Sequence, residues 1–327
     1  MRRRVFLGTI GGASATLVAR RARAQSGTGT PSGASGAITF ASTTGALGLV
    51  TQVVKRAKLD EKFDLKLDVK VLDPAGGEKT VLLRQVDTGL FPVISAADVN
   101  TKGQDIVLFG PLLYMHTFLV VWNDSPVRQL ADLKGKKIGL LDKVSGNYRG
   151  MQILAARAGG DFERDFQPVT GPPPAVITFL QRKQVDAIVI HEPLVSKLLA
   201  EGNFRVVMGM NDEWKKQSRQ NWLFLCLAAH REWLDKNRPA AIRLAAMLLD
   251  ASRMVARDPA LVAAEAEFLG LKTKAEIDLA RERLPPFFPT EWNEATVASV
   301  METVREAARL KQIREVPAKE FVTVLRG

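Results

Sequence analysis

A repeated unit constrains this chain more than any other feature. Gln85-Val86-Asp87 runs into the apolar stretch 88–91 and Pro92, and 99 residues later Gln184-Val185-Asp186 runs into the apolar stretch 187–190, with Pro193 just beyond. A Pro/Gly turn and a short helical pattern precede each copy, at 74–77 with 80–85 and at 171–174 with 175–183. One matched tripeptide says little, but a recurring turn, helix, strand and turn imply two lobes built to one plan. Around these units apolar runs alternate with helical patterns. The spacing predicts strands over 38–41, 65–72 and 105–109 with a helix over 47–57, then strands over 137–141 and 166–170 with a helix over 148–158. Such alternation specifies an α/β fold, its sheets mostly parallel and flanked by helices on both faces.

After residue 221 the pattern changes. Segments 239–255, 260–269, 275–284 and 295–310 have helical periodicity, and Pro239 and Pro259 sit near helix starts, where a missing N–H costs nothing. These helices are expected to cover the first lobe. Segments 116–122 and 221–227 then read as two crossings that form a hinge, giving 38–117 with 222–327 as lobe one and 118–221 as lobe two.

Charge bears on the address and the partners. Of 46 Lys and Arg against 35 Asp and Glu, six arginines fall within residues 1–24, which hold no acid; without them the net charge drops from +11 to +5. With no basic run or aromatic-interleaved stripe, a nucleic-acid partner is not expected. Residues 1–24 have the three parts of an export signal: a basic start, an interrupted apolar run over 5–19, and Ala22-Arg23-Ala24 before Gln25. Arg3-Arg4-Val5-Phe6-Leu7 resembles the twin-arginine motif. Residues 25–37, uncharged and rich in Ser, Gly and Thr, read as a flexible leader. The expected product is exported, soluble and unanchored. The single cysteine, Cys226, lies far from the cleavage site and reads as a core thiol, so neither a lipid anchor nor an internal disulfide is expected.

Two segments carry a resemblance to a known family. Leu130-Ala131-Asp132-Leu133-Lys134-Gly135-Lys136-Lys137-Ile138-Gly139 opens the second lobe, and Val185-Asp186-Ala187-Ile188-Val189-Ile190-His191-Glu192-Pro193 closes its last predicted strand. Both are similar to type II periplasmic binding proteins of ABC transporters, in the branch taking sulfonates, taurine, nitrate and the thiamine pyrimidine (NMT1-like). The resemblance covers roughly residues 38–231 and implies a two-lobed fold with a two-segment hinge. It also implies a periplasmic monomer with a small-molecule ligand, an ABC permease as partner and no cofactor. His191 stands where many relatives carry an aromatic residue, often Trp.

Ligands of open α/β sheets sit beyond the carboxyl ends of the strands, which selects the candidate site. Ser42-Thr43-Thr44-Gly45 follows the first strand and Val144-Ser145-Gly146-Asn147 the first strand of lobe two; each offers hydroxyls and free N–H groups to an anion, or plain helix caps. Phe91, Pro92, Tyr114, His116, Tyr148 and Trp222 are candidate walls, Arg149 a candidate clamp, and His191-Glu192 a rim whose carboxylate would favour an amine. Asp87 and Asp186 read as structural turn or cap residues. Catalytic motifs such as His-Glu-x-x-His, Gly-x-Ser-x-Gly and a P-loop are absent, as is a metal-binding cluster, so binding without turnover is the leading reading. An exported enzyme on the same scaffold and a ligand-sensing receptor subunit are the rivals.

Overall fold

The structure, a computed structural model, describes residues 36–326; the export signal and most of the leader therefore lie outside the described residues. Among the described residues ten strands form two five-stranded sheets. The first orders β1 (Ile38–Ser42), β2 (Leu67–Val71), β3 (Thr88–Pro92), β4 (Ile106–Tyr114) and β10 (Leu223–His230) as β2-β1-β3-β10-β4. The second orders β5 (Thr117–Trp122), β6 (Lys137–Leu140), β7 (Gln167–Thr170), β8 (Ala187–His191) and β9 (Phe204–Gly209) as β7-β6-β8-β5-β9. In each sheet one strand runs antiparallel to both of its neighbours, β10 between β3 and β4, β5 between β8 and β9. These are the two strands reached directly after the chain changes lobe, and the duplicated plan is thus closed by an exchange of one strand.

The repeat is visible atom by atom. The Asp87 carboxylate accepts from the backbone N–H and hydroxyl of Thr39 (2.8 and 2.7 Å), and the Asp186 carboxylate accepts from the N–H of Lys137 (2.9 Å). Asp87 thus ties the start of β3 to the start of β1, and Asp186 the start of β8 to the start of β6. Their structural reading holds, although the partner is the neighbouring strand rather than the local turn.

Three expectations need correction. The crossings are shorter than 116–122 and 221–227: only Met115 and His116 separate β4 from β5, and residues 219–222 precede β10. Both segments enter central strands buried on both faces, whose continuous apolar runs look like those of any buried extended segment. Second, the Pro/Gly segment at 74–77 is the first turn of helix Pro74–Leu82, because Pro74 occupies N1 and Asp73 accepts from the Gly76 N–H (3.0 Å). Helix Pro173–Gln181 likewise starts on its prolines. Third, the structure adds helix Val93–Thr101, helix Leu194–Ala200 and β9, whose sequences lack a clean polar face or alternation.

Helix Arg238–Arg257 packs on helix Leu49–Arg56 and β4 of lobe one, as expected of the C-terminal region. The rest of that region does not stay on lobe one as expected: helix Lys274–Arg283 lies against Leu194–Ala200 of lobe two, and Glu294–Arg309 touches helices of both lobes. Among the described residues no helix is long and apolar enough to cross a membrane.

Candidate functional site

Residues just past the carboxyl ends of β3, β6 and β8 line a cavity of about 470 Å³ between the lobes. A second hollow of about 340 Å³ adjoins it, sharing Leu47, Pro74, His116 and His191. Of the candidates, Pro92, His116, Ser145, Gly146, Asn147, His191 and Trp222 line the larger space, and Thr43, Thr44, Gly45 and Glu192 the smaller.

Lobe two supplies the electropositive wall. Ser145 caps helix Gly146–Arg157 by accepting from the Tyr148 N–H (3.2 Å), which presents the first-turn N–H groups and the positive dipole end to the cavity. Asn147, 6% exposed, uses its carbonyl oxygen to accept from Thr117 (3.3 Å), while its buried Nδ2 has no partner. Among the described residues lining this cavity, Arg149 is the only Lys or Arg. Gly146 is required here: a Cβ at that position would lie 2.3 Å from the Phe224 ring of lobe one.

The floor is neutral. His116 is 2% exposed, and neither ring nitrogen has a hydrogen-bond partner. Its ring lies 5.4 Å from that of His191. Burial pushes His191 down to about 4, and burial together with His191 holds His116 well below the usual imidazole range. Both rings are neutral near pH 7, each with one donor and one acceptor. An unsatisfied buried polar group costs about 1–3 kcal/mol, so His116 and Asn147 favour a polar occupant.

Lobe one differs. No side chain caps the 3₁₀ turn Ala46–Gly48 or the helix Leu49–Arg56 that follows. Gly45 takes a positive φ of 71°, and the Thr43 carbonyl packs so closely on Gly48 that a Cβ there would lie 1.7 Å from it. Thr43 and Thr44 therefore border the hollow without capping a helix. The group that sequence reasoning missed is Glu78, on helix Pro74–Leu82, half-buried in the wall beside Ser95. Burial is the main cause that raises its carboxyl to about 7, against the opposing pull of Ser95 and Arg149. Reading Pro74 as N1 rather than as a turn would have placed Glu78 on a helix leaving a strand end.

Five candidates lie elsewhere or are already engaged. Phe91 is fully buried in the core, its strand facing inward on that side. Tyr148 packs against Phe162 and donates from its hydroxyl to Glu163 (2.5 Å), away from the cavity. Tyr114 lines a different hollow, with Asn221 and Glu291. Ser42 lines a small adjoining hollow with Asp73 and Glu78, and its Oγ is paired with the Thr51 hydroxyl (3.0 Å). Glu192 has a fully buried side chain; it accepts from the N–H and hydroxyl of Ser196 (3.0 and 2.7 Å) and pairs with Arg283 (2.6 Å). That carboxylate is already satisfied, so it does not select an amine. Cys226 is buried and unpaired, its thiol pushed up by desolvation. Among the described residues no group of three or more His, Cys, Asp or Glu could hold a metal ion.

A sequence profile of the NMT1-like family matches residues 77–270, more than half of the chain. The chain belongs to the NMT1-like family. Among curated proteins, this NMT1-like chain is 28% identical over 176 residues to a protein of Escherichia coli (strain K12) named for aliphatic-sulfonate binding. That alignment covers 51% of this chain and 53% of the relative, about half of its length. In three dimensions it is similar to the periplasmic aliphatic sulphonate binding protein of Escherichia coli: TM-score 0.71, 20% identity, 86% of this chain and 94% of that one. It is also similar to the alkanesulfonate-binding protein of Xanthomonas axonopodis pv. citri bound to MOPS: TM-score 0.67, 20% identity, 88% and 98% covered. These likenesses give this NMT1-like chain the fold of the periplasmic binding proteins.

Proposed function

We propose that this protein captures a small organic anion, a sulfonate first among them, between its lobes and delivers it to an ABC-type importer in the membrane. One observation carries the reading. A capped helix N-terminus, the unpartnered amide of Asn147, the unpartnered ring of His116 and the Arg149 side chain meet in one cavity, and every group but His116 comes from the same helix. A sulfonate offers three acceptor oxygens, which suits donors gathered at one end. The apolar remainder, from Leu47, Pro74, Val93 and Phe224 among others, suits an organic tail. The names of the relatives support the same class.

The protein acts outside the cytoplasm as a monomer, reached through its twin-arginine signal, and releases its ligand unaltered. Contacts from both lobes are available only when the cleft is closed, so binding favours closure. The test is calorimetric titration with alkanesulfonates, taurine, nitrate and aromatic carboxylates, together with an interlobe distance probe at the exposed Lys102 and Lys183. Single-site binding with shortening of that distance is expected. Tight binding at a constant distance would overturn the closing cleft, and recovery of altered ligand would make the protein an enzyme.

A further inference from the structure

We propose that Glu78 holds a proton whenever the cleft is filled, so that an organic anion is captured together with one proton and the Glu78 carboxyl becomes a hydrogen-bond donor to it. The inference rests on the anion reading above and adds to it a residue and a coupled ion.

The geometry supplies the argument. Glu78 reaches into the cavity from lobe one, and Arg149 reaches into the same cavity from lobe two. An ionised Glu78 would offset the charge of Arg149 and repel an incoming anion across a cavity that is otherwise largely apolar. Among the described residues lining the cavity, none supplies a second cation. Its own helix offers Asp73 at the cap, an acid, and Lys79, which is exposed and does not line the cavity; helix Val93–Thr101 offers only the Ser95 hydroxyl. Across the floor, His116 and His191 are neutral. From β10, His230 is bonded to the Val81 carbonyl at the far end of the helix. A protonated carboxyl removes the repulsion and contributes an O–H donor, completing with Asn147 and His116 a ring of donors from both lobes. Burial already holds the empty-site carboxyl near 7, so the proton is available from solvent at little cost.

Calorimetry on the full mature chain with butanesulfonate, in buffers of differing ionisation enthalpy, counts the protons taken up. Uptake is expected to approach one proton per ligand near pH 8 and to fall toward zero near pH 5.5, where Glu78 is already protonated. Affinity should weaken by up to about tenfold per pH unit above 7. Glu78→Gln, a permanent neutral donor, should bind with no proton uptake and a flat profile, holding at high pH the affinity the wild type has at low pH. Wild-type binding without proton uptake, or a Glu78→Gln variant that keeps the uptake, would overturn the proposal while leaving the anion reading intact. If neither butanesulfonate nor benzenesulfonate binds at any pH, the sulfonate reading falls and the coupled proton with it.

Discussion

The two lobes share a strand order, a strand-tying aspartate and a helix that begins on proline, yet they face the cleft with different chemistry. Lobe two presents a Ser145-capped helix with Asn147 and Arg149 in its first turn. Lobe one has an uncapped 3₁₀ turn in that place and brings Glu78 from helix Pro74–Leu82 instead. A second difference lies after β3 and its counterpart β8. In lobe one Pro92 leads straight into helix Val93–Thr101, whereas in lobe two Glu192 intervenes and is locked to Arg283 of the C-terminal helices. The duplicated features hold each sheet together; the departures from the duplication make the site and join the lobe to the rest.

The largest expected effect tests that joining contact. Glu192→Ala leaves the Arg283 guanidinium, 20% exposed and lying 4.5 Å from the Phe118 ring, without its carboxylate. A loss of about 3 kcal/mol in urea unfolding is expected, with ligand affinity changed much less. A large loss of affinity with unchanged stability would return Glu192 to the binding site.

The site itself comes next. Arg149→Ala is expected to weaken butanesulfonate binding by about 2–3 kcal/mol, and Asn147→Ala by about 1 kcal/mol. Thr44→Ala, on the uncapped loop of lobe one, should matter less than either. Titration of all three variants ranks the lobes, and equal losses would erase the asymmetry.

The shared aspartates give a graded comparison. Asp87 holds two groups of Thr39 in a partly buried setting, and Asp186 holds one N–H at an exposed position. Asp87→Ala should cost about 2 kcal/mol and Asp186→Ala about 1 kcal/mol, read by chemical denaturation.

The last comparison concerns pH. The folded-state pKa of Glu78 is raised from 4.5 to about 7, so the contribution of this group is fully present below about pH 4.5 and lost as pH rises through 7. Glu78→Gln should therefore match the wild type near pH 4.5 and exceed it by about 1–2 kcal/mol at pH 8, allowing for partial exposure. Equal stability at both pH values would mean that Glu78 is solvated in the empty cleft.

Much of this was legible before any coordinates, and for a local reason. The repeat, the strand–helix alternation and the structural role of Asp87 and Asp186 follow from residues close in sequence or from a pattern that recurs at a fixed interval. The strand-end rule likewise located Ser145, Gly146 and Asn147, because a loop between a strand and a helix is written in consecutive residues. Tertiary structure decided what depends on distant partners. Glu192 looks like a rim carboxylate until a helix 91 positions later brings Arg283 to it. Phe91, Tyr114 and Tyr148 sit near cleft loops in sequence, but the side of the strand or helix they occupy turns them to the core, to another hollow and to Glu163. Glu78 escaped notice because its charge state is set by burial between two lobes, which local sequence does not encode: desolvation is a property of everything that surrounds a group, and that is assembled only when the chain has folded.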